Sequence, residues 1–89
     1  MSRIVEDRIR ELLLEHFIYD PKDTLSTDHE SLSDSGIVDS AGVLTLILLL
    51  EETFSIRVDD VDVHPDNLDS IAKMASFVRR KQATVNEVL

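Results

Sequence analysis

The sequence predicts an all-α protein: a small antiparallel four-helix bundle of three main helices and one short helix or 3₁₀ turn, with a long first loop. Three stretches repeat apolar residues three and four positions apart, which is the spacing of one helix face. Only one very short alternating stretch occurs, and it has no second strand to pair with. With 89 residues the chain has room for one core, so residues 1–89 are expected to form a single domain.

The first helix is predicted over residues 3–18, followed by a loop over residues 19–39. The helix has one apolar stripe, formed by Val5, Ile9, Leu12, Leu13 and Phe17. Pro21 should end it, because proline disfavours helical geometry in the residue before it. The loop is rich in Asp, Ser and Thr, and we expect Leu25, Leu32 and Ile37 to anchor it. A loop of this length in a compact domain is itself an indication of function.

The second helix, over residues 40–54, has the strongest pattern in the chain. Asp39 is placed to cap it, since an aspartate side chain can accept a backbone N–H from the first turn. One stripe should face the core, formed by Val43, Leu46, Ile47, Leu50 and Phe54. The opposite side carries Ala41, Thr45, Leu48 and Glu52, with Leu44 on its flank. A helix this apolar is either buried on several sides or offers an apolar strip to a partner.

The last part of the chain is expected to hold a short turn or helix at residues 60–68 and a helix at residues 69–82. Asp69 or Ser70 can cap the last helix, and Ile71, Met74, Ala75 and Val78 form its apolar stripe. The cations at 79–81 would then lie in its last turn, where they complement the helix dipole. Residues 83–89 are expected to fray.

Composition and charge restrict the possible functions. Eighteen acidic residues against nine basic ones give a net charge of −9, which makes nucleic acid a poor partner. The N-terminus lacks the apolar run of a signal peptide, and no apolar run is long enough for a membrane span. We therefore expect a soluble, cytoplasmic protein. The absence of cysteine excludes disulfides, thiolate metal sites and a cysteine nucleophile.

No constellation of residues suggests catalysis or a resident metal. His16, His29 and His64 have no ligand spacing. The acidic cluster at 59–66 lacks the glycine and terminal glutamate of a calcium loop, so a solvated acidic face is the simpler interpretation. We accordingly expect neither an enzyme nor a metal site.

Ser40 is the one residue on which several features converge. It stands at the start of the strongest helix, where unpaired N–H groups and the helix dipole favour a negative group. A phosphodiester on its oxygen would be electrostatically favourable there. Ser40 could also act only as a helix-capping residue, and its position alone does not decide between the two roles.

Three segments resemble the acyl carrier protein family. They are Gly36-Ile37-Val38-Asp39-Ser40, then Leu50-Glu51-Glu52-Thr53-Phe54-Ser55-Ile56, and finally Pro65-Asp66-Asn67-Leu68-Asp69-Ser70-Ile71. The Asp-Ser pair alone is a weak motif, but the three segments together are fairly specific. The resemblance covers roughly residues 4–81, with the helices in matching order.

The resemblance implies a carrier that is itself no enzyme. A separate phosphopantetheinyl transferase would attach 4′-phosphopantetheine from coenzyme A to Ser40, which Asp39 precedes as in the family motif. The arm's thiol would hold an acyl or aminoacyl group as a thioester. A loading ligase would supply that group, and a downstream acyltransferase or synthase would receive it. We expect the carrier to be a monomer.

Two departures from the family pattern indicate a specialised carrier, loaded with an amino acid or an unusual acyl group. Ala41 stands where the family usually has Leu or Met, and Gly42, Thr45 and Leu48 stand where fatty-acid carriers usually show acids. The surface that partners would read is therefore predicted to be Ala41, Leu44, Thr45, Leu48 and Glu52. The alternative is an acidic helical adaptor that binds a protein through this surface and has no prosthetic group.

Overall fold

The computed structural model describes residues 4–17, 28–34 and 36–88, with side chains through residue 83. Over these residues the protein is an all-α bundle with no strand, which confirms the predicted fold class. Four α-helices and one 3₁₀ helix are described. They are α1 Ile4–His16, α2 Ser40–Phe54, the 3₁₀ helix Asp60–Asp62, α3 Pro65–Leu68 and α4 Ile71–Val88.

The core forms around α4, which contacts α1, α2 and α3. The buried stripe of α4 holds apolar residues three and four positions apart, as the sequence indicates: Ile71, Met74, Ala75 and Val78. The other helices each contribute buried apolar side chains to the same cluster: Ile9 and Leu13 from α1, Leu46 and Leu50 from α2, and Leu68 from α3. Burial of this single cluster is the main stabilising term for so small a chain.

Helix α1 ends earlier than the expected range of 3–18. The last helical residue is His16, and Phe17 closes the end with a backbone hydrogen bond to the Leu13 carbonyl. Residues 3 and 18 lie outside the described residues. Arg79 ties α1 to α4, because its guanidinium donates to both carboxylate oxygens of Glu6 at 2.8 and 2.6 Å.

The described part of the first loop is fastened to the junction between α3 and α4 by Asp69. The Asp69 carboxylate accepts hydrogen bonds from the Ser31 hydroxyl at 2.5 Å and from the Ser33 hydroxyl and N–H at 2.8 and 3.0 Å. The Asp69 carbonyl accepts the N–H of Leu32 at 2.8 Å. Leu32 is consequently buried, as expected, while Leu25 lies outside the described residues.

The segment 60–68, expected to hold one short turn or helix, contains two short helices. The 3₁₀ helix Asp60–Asp62 precedes α3, and the His64 imidazole caps α3 by accepting the Asp66 N–H at 3.1 Å. The acids before α3 are not merely solvated, because the Lys81 ammonium lies 2.6 Å from Asp62 and 3.4 Å from Asp59. The hydrogen bond from Lys81, with that from the Asp59 N–H, lowers the pKa of Asp62.

The bounds of the last helix differ from the expected 69–82, and residues 83–88, expected as part of a tail, are helical, while residue 89 lies outside the described residues. Ser70 caps α4 by accepting the Lys73 N–H at 3.1 Å, so the helix begins at Ile71, and it continues to Val88. No glycine or proline interrupts residues 82–88, so nothing in the chain stops the helix at 82. The cations at 79–81 therefore lie in the middle of α4. Their side chains bind residues of α1, α3 and the 3₁₀ helix, and they are too far from the C-terminus to complement the helix dipole.

None of the helices in the described ranges combines the length and the apolar character that a membrane span requires.

Replacing Asp69 with alanine should destabilise the fold. The variant loses the acceptor for Ser31 and Ser33, and hydrogen bonds to a charged group contribute about 1–3 kcal/mol. Thermal and urea unfolding followed by circular dichroism would measure the loss. Asp66→Ala is the matched control, because the Asp66 side chain is 82% exposed, and its effect should stay within about 0.5 kcal/mol. Equal effects of the two substitutions would contradict the role given to Asp69.

The contribution of Asp69 should depend on pH. Burial raises the pKa of Asp69, but the hydrogen bonds from Ser31 and Ser33 outweigh burial and hold that pKa below its ordinary value of 3.8. A lowered folded-state pKa stabilises the protein above the unfolded-state pKa, and this stability is lost as the pH falls through the folded-state value. The difference in unfolding free energy between the native protein and Asp69→Asn should therefore be constant above about pH 5 and narrow below about pH 4. A difference that stays constant down to pH 3 would contradict this account.

Candidate functional site

Ser40 is the first residue of α2, and its side chain is exposed. Within the described part of the chain, no hydrogen bond engages its hydroxyl. Helix geometry also leaves the N–H groups of Ser40 and Ala41 without partners inside α2. The hydroxyl is thus presented to solvent at the positive end of a helix dipole, where a phosphate ester is favourable.

Asp39 fixes the point at which α2 begins. Its backbone is extended, with φ −99° and ψ −176°, and its Oδ1 accepts the Gly42 N–H at 2.7 Å. Its carbonyl accepts the Val43 N–H at 3.1 Å, which completes the first turn. The capping role expected for Asp39 is therefore present in the structure. An N-cap of this kind stabilises a helix by about 1 kcal/mol and holds the Ser40 backbone in one orientation.

Gly42 lets the start of α2 approach the end of α1. A Cβ at this position would lie 3.1 Å from Cε1 of Phe17 and 3.2 Å from Oδ1 of Asp39, which is closer than ordinary contact. Glycine destabilises a helix by up to about 1 kcal/mol relative to alanine. The glycine at this position therefore lowers the helix propensity of α2 but permits the close approach to α1. A side chain here would press on both the Phe17 ring and the capping carboxylate.

Two clefts flank the start of α2. The α2–α3 cleft, of about 160 Å³, is largely apolar and lies between the first loop, α2 and α3; its lining includes Leu32, Val43, Leu46, Val63 and Leu68. The α1–α2 cleft, of about 360 Å³, is lined by His16, Phe17, Ile37, Asp39, Ala41, Gly42 and Thr45. The second cleft mixes polar and apolar groups and includes the residues on either side of Ser40. Both clefts open beside the turn that carries the hydroxyl.

The face of α2 that the sequence assigns to a partner is exposed along its length. Ala41, Leu44, Thr45, Leu48 and Glu52 are all exposed, with Leu44 at 69% and Leu48 at 59%. The opposite face carries Leu46 and Leu50, which are buried, as the helical spacing predicts. Leu44 and Leu48 stand four positions apart on this face, so together they form one exposed apolar strip.

The described residues contain no group of three or more His, Asp or Glu side chains that could hold a metal ion. Asp39 is the acid next to Ser40, and its carboxylate acts as the helix cap.

Three features of the site region depend on residues that the sequence does not connect: the hydrogen bonds of Asp69 to the first loop, the cap of α3 by His64, and the contact between Gly42 and Phe17. The Pro65-Asp66-Asn67-Leu68-Asp69-Ser70 segment shows polar residues at a helix junction, but nothing local indicates that Asp69 binds residues 31–33. A glycine in the first turn of an otherwise strong helix is the one local feature that could have indicated a close approach at Gly42.

Comparison with known proteins agrees with this geometry. The family model described as phosphopantetheine attachment site matches residues 7–78, a range that includes the whole junction between the first loop and α2. The chain belongs to this family of phosphopantetheine-dependent carrier proteins. Members carry the prosthetic group covalently on a serine, and the chain is accordingly a carrier of acyl or aminoacyl groups and not a catalyst.

Curated relatives agree with the family match. The chain is 31% identical over 78 residues to proteins called D-alanyl carrier protein from Streptococcus pyogenes serotype M5 (strain Manfredo), serotype M49 (strain NZ131) and serotype M1. Each alignment covers 88% of this chain and 95% of the relative, so the similarity extends over nearly the whole carrier.

The surroundings of Ser40 fit the group that the family carries. The Ser40 hydroxyl is exposed at a helix N-terminus, which would favour a phosphate ester there, and the exposed residue that follows it, Ala41, has a small side chain. The chain has no cysteine, so the thiol that forms the thioester comes from the prosthetic group.

Proposed function

We propose that Ser40 is the attachment residue, and that residues 1–89 form one carrier domain whose arm carries a small aminoacyl group as a thioester. The observation that carries the proposal is the placement of Ser40 within the family match, as an exposed hydroxyl at the capped start of α2. In the modification, Ser40 Oγ forms a bond to the β-phosphorus of coenzyme A, adenosine 3′,5′-bisphosphate leaves, and the transferase takes up the hydroxyl proton. The bound arm then supplies the thiol that holds the cargo.

The names of the relatives favour a small cargo such as D-alanine, because those proteins are called D-alanyl carriers.

The partners follow from the carrier role. We propose a phosphopantetheinyl transferase, an aminoacyl ligase that loads the thiol, and an acyltransferase or synthase that receives the cargo. The surface they contact is Ala41, Leu44, Thr45, Leu48 and Glu52, in a monomeric, cytoplasmic protein. The adaptor without a prosthetic group explains the exposed Leu44 and Leu48 equally well, but it gives no reason for the phosphopantetheine family match.

Incubation with coenzyme A, Mg²⁺ and a broad-specificity phosphopantetheinyl transferase should increase the intact mass by one phosphopantetheine unit. Ser40→Ala should abolish the gain, because the variant has no oxygen to attack phosphorus. Ser76→Ala is the matched control, since Ser76 is an exposed helical serine in α4, and it should be modified normally. A persistent gain in Ser40→Ala would show that the site is wrong. No gain in the native protein beside a modified control carrier would overturn the proposal.

Leu48→Glu should slow loading by the cognate ligase about tenfold or more, which corresponds to the roughly 1.4 kcal/mol lost when an apolar contact residue is replaced. Because Leu48 is 59% exposed, the melting temperature should remain nearly unchanged.

Leu46→Glu is the matched control for Leu48→Glu, because Leu46 is 1% exposed and a buried glutamate should unfold or strongly destabilise the protein. A large stability loss in Leu48→Glu would place Leu48 in the core. Normal loading of a stable Leu48→Glu protein would remove it from the partner surface.

A further inference from the structure

The N-terminal end of α3 is capped by an imidazole. Helix α3 begins at Pro65, and the extended residue before it, His64, accepts the Asp66 N–H with its Nδ1 at 3.1 Å. This hydrogen bond needs a lone pair on Nδ1, so the imidazole must be neutral, with its proton on Nε2. The side chains that usually cap helices are those of Asn, Asp, Ser and Thr, and they keep their acceptor oxygen throughout the neutral pH range. A histidine cap differs from them because a proton removes its acceptor.

The two ends of α3 are attached to the bundle in different ways. At the C-terminal end Leu68 is buried, and Asn67 Oδ1 accepts a hydrogen bond from the Arg80 guanidinium at 2.8 Å. Asp69 connects the same end to the first loop. At the N-terminal end the His64 side chain is 61% exposed, so protons from solvent reach the cap. A helix of four residues is too short to be stable by itself, so loss of the cap should loosen α3 from its N-terminal end.

The charged groups around His64 determine how its imidazole responds to a proton. From α3 itself, Asp66 Oδ2 lies 3.6 Å from Nδ1. From the junction between α3 and α4, Asp69 lines the α2–α3 cleft together with His64. The other residues that line this cleft, from the first loop, α2, α3 and the segment before His64, are uncharged. Both carboxylates favour a positive imidazole, and the Asp66 carboxylate can accept a hydrogen bond from a protonated Nδ1.

We propose that His64 is a pH-sensitive cap, which releases the N-terminal end of α3 when its imidazole is protonated. The step is an exchange of hydrogen bonds: Nδ1 gains a proton and loses the Asp66 N–H, and the new N–H donates to the Asp66 carboxylate. His64 and Pro65 line the α2–α3 cleft, so the released residues form part of its wall. The cleft beside the Ser40 turn is therefore closed by an ordered α3 above neutral pH and is looser in mildly acidic surroundings.

The switch can be measured by NMR on the unmodified protein, so its outcome is independent of whether Ser40 carries phosphopantetheine. Between about pH 7.5 and about pH 5.5, histidines are the side chains expected to titrate. The reporters are the N–H groups of Asn67 and Leu68, which bond to the His64 carbonyl at 2.9 and 3.1 Å. Their protection from solvent exchange, corrected for the intrinsic pH dependence of exchange, should fall about fivefold at the lower pH, which is the factor that a typical helix cap contributes.

His64→Asn is the decisive variant, because asparagine caps a helix without titrating. It should protect α3 equally at both pH values, whereas His64→Ala removes the cap and should leave α3 loosened at both. Asp66→Asn keeps the backbone N–H and removes the carboxylate that favours the protonated imidazole, so its response should move to lower pH. His16→Gln is the matched control, since His16 is an exposed histidine at the end of α1, and it should respond as the native protein does.

Three results would overturn the proposal. Equal protection of the α3 amides at the two pH values in the native protein would show that no cap is released. A full pH response in His64→Asn would show that another group loosens α3. If His64→Ala at about pH 7.5 protects α3 as well as the native protein does, the imidazole contributes nothing as a cap.

Discussion

The position of Ser40 depends on Asp69, a residue in a different part of the fold. The Asp69 carbonyl holds the N–H of Leu32, and the Leu32 carbonyl in turn accepts the N–H groups of Ile37 and Val38 at 3.1 and 3.3 Å. The Val38 side chain is buried, and this fixes the position of the next residue, Asp39, which caps α2. The Asp69 carboxylate strengthens the same connection through Ser31 and Ser33. These contacts hold the described part of the first loop in place where the chain enters α2 and presents the Ser40 hydroxyl.

The distribution of charge separates the elements that ion pairs hold together from the exposed face of α2. Cationic side chains of α1 and α4 form ion pairs with acidic residues of other elements: Arg10 with Asp28, Arg79 with Glu6, and Lys81 with Asp59 and Asp62. These contacts connect the first loop, α1 and the 3₁₀ helix to the rest of the bundle. The outward face of α2, by contrast, presents Leu44 and Leu48 with acids only near its C-terminal end. Such a face suits a partner that buries apolar surface, with charge contributing mainly to the rate of approach.

The sequence predicts well what depends on local spacing. Helical periodicity predicts both faces of α2: the buried stripe that contains Leu46 and Leu50 and the exposed face that ends at Glu52. N-cap chemistry predicts the cap at Asp39. The end of α4 is harder to predict, because chain termini commonly fray and the apolar stripe of this helix stops at Val78, although no residue after Gln82 breaks a helix. Asp69 was expected at most to cap α4, because its bonds to Ser31 and Ser33 join residues far apart in sequence. Helical periodicity and turn chemistry describe neighbouring residues only, so they do not predict such contacts. The contact between Gly42 and Phe17 could not be predicted for the same reason.

The central claim is that the prosthetic group is attached to Ser40 and to no other hydroxyl. The most direct measurement is localisation of the arm by fragmentation of the modified protein. Trypsin releases residues 23–57 as one peptide, which also contains Ser26, Ser31, Ser33, Ser35 and Ser55. Fragment ions that contain Ser40 should carry the added mass, and ions that end before Asp39 should not. Added mass on fragments from residues 23–38 would contradict it.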